Sequence, residues 1–341
     1  MSNFSQEKKI EAFVTLGNFL LNPDDEFKNI LKNAKHKNGW FTDLETQKAV
    51  SANGLMLNQV DLENWLKAYT FPNQKPKKVG LILAGNIPLV GFHDILAVLL
   101  SGNIALIKLS SQDDILINAV LNQLIKIEPD FKNQIEIVSR LENFDAVIAT
   151  GSNNSSRYFD YYFSKVPHII RKNRNSVALL TGEESTGDLN QLGHDIFDYY
   201  GLGCRNVSKV FVPEGYIFNH FFESIQEFEH ILNHHKFQNN YDYNKSIYLV
   251  NKVHHFDNGF LLVTKNEKLS SPLSVVYYEE YQNLNDVITK IEVQKEEIQV
   301  VVTKAYGLKD MAVANFGESQ SPKLWDYADG VDTLAFLSAL S

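Results

Sequence analysis

The chain has one cysteine, nine prolines, three methionines and three tryptophans in 341 residues. A single cysteine rules out an intramolecular disulfide and fits a reducing compartment. Net charge is −9 with no basic tract, so no nucleic-acid partner is expected. No apolar run approaches the ~20 residues of a membrane span. The most apolar stretch, 79–90, holds Asn86 and two glycines. The opening Met1-Ser2-Asn3-Phe4-Ser5-Gln6-Glu7-Lys8-Lys9 lacks the apolar core of a signal peptide. These absences predict a soluble, cytoplasmic protein. Neither standard nucleotide fingerprint is present, GxGxxG or GxxxxGK followed by Ser or Thr, and there is no internal repeat. His234-His235 and His254-His255 stand without a cysteine or carboxylate at ligand spacing, so no metal site is expected.

What is present is ordinary for a globular protein, with 44% hydrophobic and 21% charged residues and enough length for two domains. Residues 1–75 read as helices from their 3.6-residue periodicity, with Pro23-Asp24-Asp25-Glu26 as one start and Trp40-Phe41 ahead of a cap. The segment 71–78 reads as a linker. Continuous apolar runs of strand length then alternate with helical patterns. The runs are 79–84, 104–109, 136–138, 146–149 and 177–180; the helices fall at 92–100 and 113–127. Alternation of this kind predicts an open, mostly parallel sheet with ligands at the carboxyl ends of the strands. A second unit from about residue 184 continues the alternation through 222–232, 246–250, 260–264 and 274–278, and 298–303 is a late strand.

Cys204 lies in Gly201-Leu202-Gly203-Cys204-Arg205-Asn206, after a helical pattern over 189–200 and before the apolar strand 208–213. It therefore belongs to a glycine-flanked turn or a helix start. Backbone N–H groups there favour negative charge, so the thiol is expected to ionise readily. A lone cysteine is also often a small buried hydrophobe, and the hexapeptide alone leaves both roles open.

Four stretches lift the catalytic role. They are Asn86-Ile87-Pro88, Gly102-Asn103-Ile104-Ala105-Leu106-Ile107-Lys108-Leu109-Ser110, Thr150-Gly151-Ser152, and the Cys204 hexapeptide in register with them. Together they resemble the aldehyde dehydrogenase superfamily, and within it the LuxC-type fatty acyl-CoA reductases. The resemblance is firmest from 79 to about 212. It implies an α/β fold of two domains with mostly parallel sheets and an active-site cleft between them.

The resemblance assigns Cys204 as nucleophile and Asn86 as oxyanion donor. Lys108, with Ser110 and Ser111, is assigned to the adenosine ribose, and Thr150, Gly151 and Ser152 to the cofactor pyrophosphate. Ser111 stands where NAD-preferring members often carry glutamate, so NADPH is implied, with Lys108 and Arg157 as sources of positive charge. The superfamily's hydrolytic glutamate is replaced by Ile170, which stands 34 positions before Cys204, the spacing the superfamily keeps. Loss of that base suits an acyl-cysteine that must be reduced and not hydrolysed. If 167–170 is extended, His168 shares a face with Ile170, and its imidazole is a candidate base and acid. Two departures stand out. Ala328 replaces the histidine that commonly precedes Asp-Gly near the family's C-terminus, and Lys268 stands where a cofactor-ribose glutamate is expected.

The expected domains are a helical segment over 1–75, a Rossmann-like cofactor domain over 76–183, a catalytic domain over 184–312 and a tail over 313–341 packing back on them. The expected activity is NADPH-dependent reduction of an acyl-CoA, fatty acyl above all, to the aldehyde, with coenzyme A as leaving group. An acyl carrier protein as donor, an acyl phosphate as substrate, and a non-catalytic nucleotide- or partner-binding subunit are the alternatives. Chain length and oligomeric state are not readable, and a homo-oligomer stays open.

Overall fold

A computed structural model describes residues 4–71, 75–151 and 153–340. The chain divides into two compact units. One comprises Met1–Asn173 with Lys323–Ser341, the other Arg174–Pro322.

The first unit opens with four helices, α1 (Gln6–Leu21), α2 (Asp25–Lys37), α3 (Asp43–Met56) and α4 (Gln59–Leu66). Each begins at a side chain that accepts an otherwise orphaned amide: Ser5 from Lys8, Asp24 from Phe27, Thr42 from Glu45 and Asn58 from Asp61. β1 (Lys78–Ile82), α5 (Phe92–Leu100), β2 (Ile104–Lys108), α6 (Asp114–Ile127), β3 (Ile135–Ile137), β4 (Ala146–Thr150), α7 (Asn153–Phe163) and β5 (His168–Arg171) follow. The strands form one sheet in the order β3-β2-β1-β4-β5, every pair parallel. Strand order reverses between β1 and β4, and such switch points are where open α/β sheets bind ligands. Phe13 and Leu16 of α1, Leu62 and Trp65 of α4, and Ile95 and Leu99 of α5 share one buried core. The N-terminal helices are thus part of this unit and not a separate segment.

The second unit contains β6 (Asn175–Leu179), α8 (Thr186–Phe197), β7 (Val207–Pro213), α9 (Asn219–Ser224), α10 (His235–Val250), β8 (Phe256–Asp257), β9 (Leu262–Lys265), β10 (Val275–Tyr281), α11 (Leu284–Val293), β11 (Ile298–Val302) and β12 (Val313–Ala314). Its sheet runs β12-β11-β6-β7-β10-β9-β8, parallel except where β8 meets β9. Two sequence expectations change here. Residues 246–250 are the last turn of α10 and not an element of their own. The strand at 175–179 pairs with β7 and β11, so the boundary falls at 173/174 and not at 183. A continuous apolar run reports burial on both faces without saying which sheet buries it.

After Pro322 the chain returns to the first unit and ends in α12 (Thr333–Ser338). Polar contacts fasten this return. Trp65 Nε1 donates to Tyr327 Oη at 2.7 Å, and Tyr69 Oη donates to Asp332 at 2.6 Å. His93 Nε2 meets the Leu324 carbonyl at 2.9 Å. Arg171, at the end of edge strand β5, is buried in an ion pair with Asp94 of α5 and donates to Thr333 Oγ1 at 2.9 Å. One side chain thus ties the sheet edge, a central helix and the returning tail. Removing one partner of a buried pair strands the other charge. Arg171→Ala should therefore cost about 3–5 kcal/mol, and Thr333→Val only about 1 kcal/mol, the net value of one hydrogen bond. Urea unfolding followed by tryptophan fluorescence measures both; equal losses would show that the ion pair is not the stronger tie.

Candidate active site

In a parallel sheet all strands point the same way, so the loops leaving β1, β2 and β4 emerge at one edge. Three of the expected sets lie in these loops. Asn86 is exposed in the β1–α5 loop. Lys108 is exposed at the last position of β2, paired in register with Ile82, and Ser110 and Ser111 follow it. Thr150 closes β4 and Gly151 leads toward α7. Ser152 lies outside the described residues.

The loops are packed tightly enough to explain their glycines. A Cβ on Gly85 would fall 2.4 Å from Ser110 Oγ, so the Asn86 loop passes directly against the loop after Lys108. A Cβ on Gly151 would fall 2.8 Å from Phe159 of α7. Close backbone approach of this kind, at strand ends and ahead of a helix, is what a dinucleotide pyrophosphate needs. The residues present therefore fit a nicotinamide dinucleotide. The Gly102-Asn103 pair has a different job. Gly102 turns at φ +86°, and buried Asn103 accepts from Lys77 N–H at 3.0 Å, joining the starts of β1 and β2. Asn86 is not a helix cap, since α5 is capped at Gly91 without a side-chain bond.

One residue of this edge is not evident from pattern. Asp113, which reads in the sequence as the acid opening α6, makes no cap bond there. Its buried carboxylate accepts from the Leu89 N–H at 2.7 Å, 24 positions away, and its other oxygen is buried without a hydrogen bond. Leu89 is held at φ +58°, a strained value for leucine. Asp113 therefore fixes the Asn86 loop onto the loop that follows Lys108 and carries Ser110. Burial pushes its carboxyl up to about 8, against the Leu89 hydrogen bond and with help from Asp114.

His168 is placed elsewhere. It pairs in register with Val147, at the amino-terminal end of β5, while Arg171 pairs with Thr150 at the carboxyl edge. Three residues at a rise of ~3.3 Å separate it from that edge by roughly 10 Å. Residues 168 and 170 do share a half-buried face, flanked by buried Ile169 and Arg171. Because the Val166 carbonyl can only accept, the 2.8 Å contact puts the proton on His168 Nδ1. The structure does not bring His168 together with Asn86, Lys108, Thr150 and Gly151.

Cys204 lies in the second unit, exposed, in a turn and not at a helix start. Helix α8 ends at Phe197; Tyr199, Tyr200 and Gly201 then run left-handed at φ 53°, 58° and 75°. Non-glycine residues in that region cost roughly 1–3 kcal/mol each, and such strain gathers at functional sites. The Asn206 N–H donates to the Gly203 carbonyl at 3.1 Å, closing a four-residue turn with Cys204 at its second position. Ser176 Oγ of β6 donates to the Cys204 carbonyl at 2.9 Å. Just upstream, buried Asp195 of α8 accepts from Gly317 at 2.7 Å and Ser319 at 3.0 Å. Burial raises its carboxyl, opposed by those bonds. Among the described residues, no three His, Cys, Asp or Glu side chains gather as a metal site, and no helix is long and apolar enough to cross a membrane.

Comparison with known proteins shows the family and the fold. Residues 52–315 match the family model described as acyl-CoA reductase (LuxC). A long-chain acyl-protein thioester reductase from Aliivibrio fischeri is 26% identical over 170 residues, covering 44% of this chain and 35% of that protein. The chain thus aligns with about a third of that relative's length. Two solved structures share the fold. The E. coli NADP dependent enzyme has a TM-score of 0.67 and 13% identity, covering 92% of this chain and 78% of the other. A Mycobacterium tuberculosis aldehyde dehydrogenase complexed with NAD+ has a TM-score of 0.62 and 12% identity, covering 87% and 73%.

Asp113 gives this edge a pH signature. With its folded value near 8 and an ordinary value of 3.8 when unfolded, the native state holds a proton that the unfolded chain releases between those limits. Its contribution to stability is therefore greatest below about pH 4 and falls as pH rises to about 8. Asp113→Asn keeps an acceptor for Leu89 without the ionisation. The drop in melting temperature between pH 5.5 and 7.5 should be smaller in Asp113→Asn than in wild type, by about 2–4 °C for each kcal/mol relieved. Identical drops in calorimetry would remove Asp113 as the source.

Proposed function

The chain belongs to the LuxC acyl-CoA reductase family, and from that premise we propose that it reduces an acyl thioester to the aldehyde through an acyl group carried on Cys204. The observation that carries the reading is the chain's one thiol, exposed on a clamped turn beside a strained backbone segment, inside the matched stretch.

In this reading the Cys204 thiolate attacks the thioester carbonyl. A bond forms from Sγ to the acyl carbon, backbone N–H groups of the Cys204 turn can meet the oxyanion, and the Asn86 amide is the donor that the family resemblance assigns. The oxyanion re-forms the carbonyl as the bond to coenzyme A breaks, and coenzyme A leaves as its thiolate, which takes its proton from solvent. When bound, NADPH supplies the hydride that brings the acyl carbon to the aldehyde level. Cys204 then regains its electron pair as the carbon–sulfur bond breaks and the aldehyde departs. Ile170, in the place of a hydrolytic glutamate, cannot take a proton from water, so the acyl-cysteine is protected from hydrolysis. Lys108, Ser110 and Ser111 would hold the adenosine ribose. The lack of a carboxylate at Ser111 leaves room for a 2′-phosphate, which supports NADPH over NADH. Thr150, Gly151 and Ser152 would face the pyrophosphate. His168, a candidate for the thiol proton because it shares a strand face with Ile170, has the least support of the set from its place at the far end of β5.

The Aliivibrio fischeri relative is named for an acyl-protein thioester. That favours an acylated protein as a second donor class beside coenzyme A.

The test is NADPH oxidation with acyl-CoA thioesters from acetyl to palmitoyl, repeated with NADH and with an acylated carrier protein. Turnover peaking at long chains with NADPH is expected, and the better donor identifies the class. Cys204→Ala should lower the rate by about three orders of magnitude or more. Asn86→Ala should lower kcat by about 10²–10³-fold with KM little changed. No turnover with any thioester, or near-normal turnover in Cys204→Ala, would overturn the reading.

A further inference from the structure

Asn206, two residues after Cys204, is 4% exposed, and every polar atom of its side chain faces the backbone around the thiol. Its Oδ1 accepts from the Gly203 N–H at 2.8 Å. Its Nδ2 donates to the Asp195 carbonyl at 3.1 Å and the Asp198 carbonyl at 2.9 Å, two of the last carbonyls of α8 and its extension. Its own N–H closes the turn on the Gly203 carbonyl.

Gly203 is therefore held through both its N–H and its carbonyl by one residue, and that residue also grips the end of α8. Between the two grips lie Tyr199, Tyr200 and Gly201 in the left-handed region. That backbone conformation is unfavourable for tyrosine, so something fixed at both ends must maintain it. Asn206 also lines a small recess with Tyr200, Gly201, Phe197 and Phe237.

We propose that Asn206 is the positioning residue for Cys204: its side chain clamps the turn to the end of α8 across the left-handed segment and so keeps the thiol presented at the surface. This rests on Cys204 being the nucleophile. An amide is needed, since only Asn or Gln offers an acceptor and two donors on one short group, and Gln would be a methylene too long. The Asn206→Asp variant would keep the acceptor and turn a negative oxygen toward two carbonyls. Without the clamp, Tyr199 and Tyr200 relax toward right-handed values and carry the turn with them.

The test uses the full chain and a probe that needs no substrate. Iodoacetamide alkylation of the sole cysteine is timed at pH 7 in wild type, Asn206→Ala, Asn206→Asp and the control Asn244→Ala. Asn244 is a similarly buried amide of the same unit, bonded to the Asn240 and Leu273 carbonyls and not to the turn. The expected result is alkylation slowed at least fivefold in Asn206→Ala, between twofold and fivefold in Asn206→Asp, and unchanged within twofold in Asn244→Ala at a similar loss of melting temperature. With a thioester and NADPH, Asn206→Ala should lower kcat at least tenfold with KM within threefold. Alkylation within twofold of wild type in folded Asn206→Ala, or an equal slowing in Asn244→Ala, overturns the proposal. If Asn206→Ala does not fold, Asn206→Asp decides by the same twofold limit. Slowed alkylation with no thioester turnover in any variant would instead count against the substrate assignment.

Discussion

Parallel pairing is the constraint from which the first unit follows. Parallel strands cannot be joined by tight turns, so each needs a crossover, and every strand then ends at the same edge. That rule gathers the loops after β1, β2 and β4, which lie far apart in the chain. Reversal of strand order between β1 and β4 opens the edge at the point where the Asn86 and Gly151 loops diverge. The N-terminal helices and the returning tail close this unit's core.

Buried polar side chains set the fine placement. Asp113, Arg171 and Asn206 each leave their own element to bond backbone or charge on another. Asp113 holds a loop with leucine at positive φ, and Asn206 holds one with two such tyrosines. Lys209 follows the same rule inside the second sheet. It is fully buried in β7, where its ammonium meets Glu279 at 2.8 Å and the Glu267 carbonyl at 2.9 Å. Apolar packing builds the layers, and these polar ties decide where the loops between them rest.

Most strands and helices were legible in the sequence because burial on two faces and helical periodicity leave local signatures. The apolar runs at 79–84 and 146–149 became β1 and β4, and 92–100 became α5 with the same bounds. The short run 246–250 misled, since five apolar-ended residues fit a strand and a helix end alike.

By itself, then, the sequence determined the alternating α/β class, the strand-end loops, the glycine-flanked setting of Cys204 and the motifs that resemble the LuxC reductases. These depend on residue type and spacing over a few positions. Tertiary structure alone decided that the strand at 175–179 joins the second sheet, that His168 stands at the far end of β5, and that Asp113 and Asn206 turn to the backbone of neighbouring segments. Pairing and hydrogen-bond partners at that range are chosen by which surfaces meet once the chain has packed, and no local pattern records the choice.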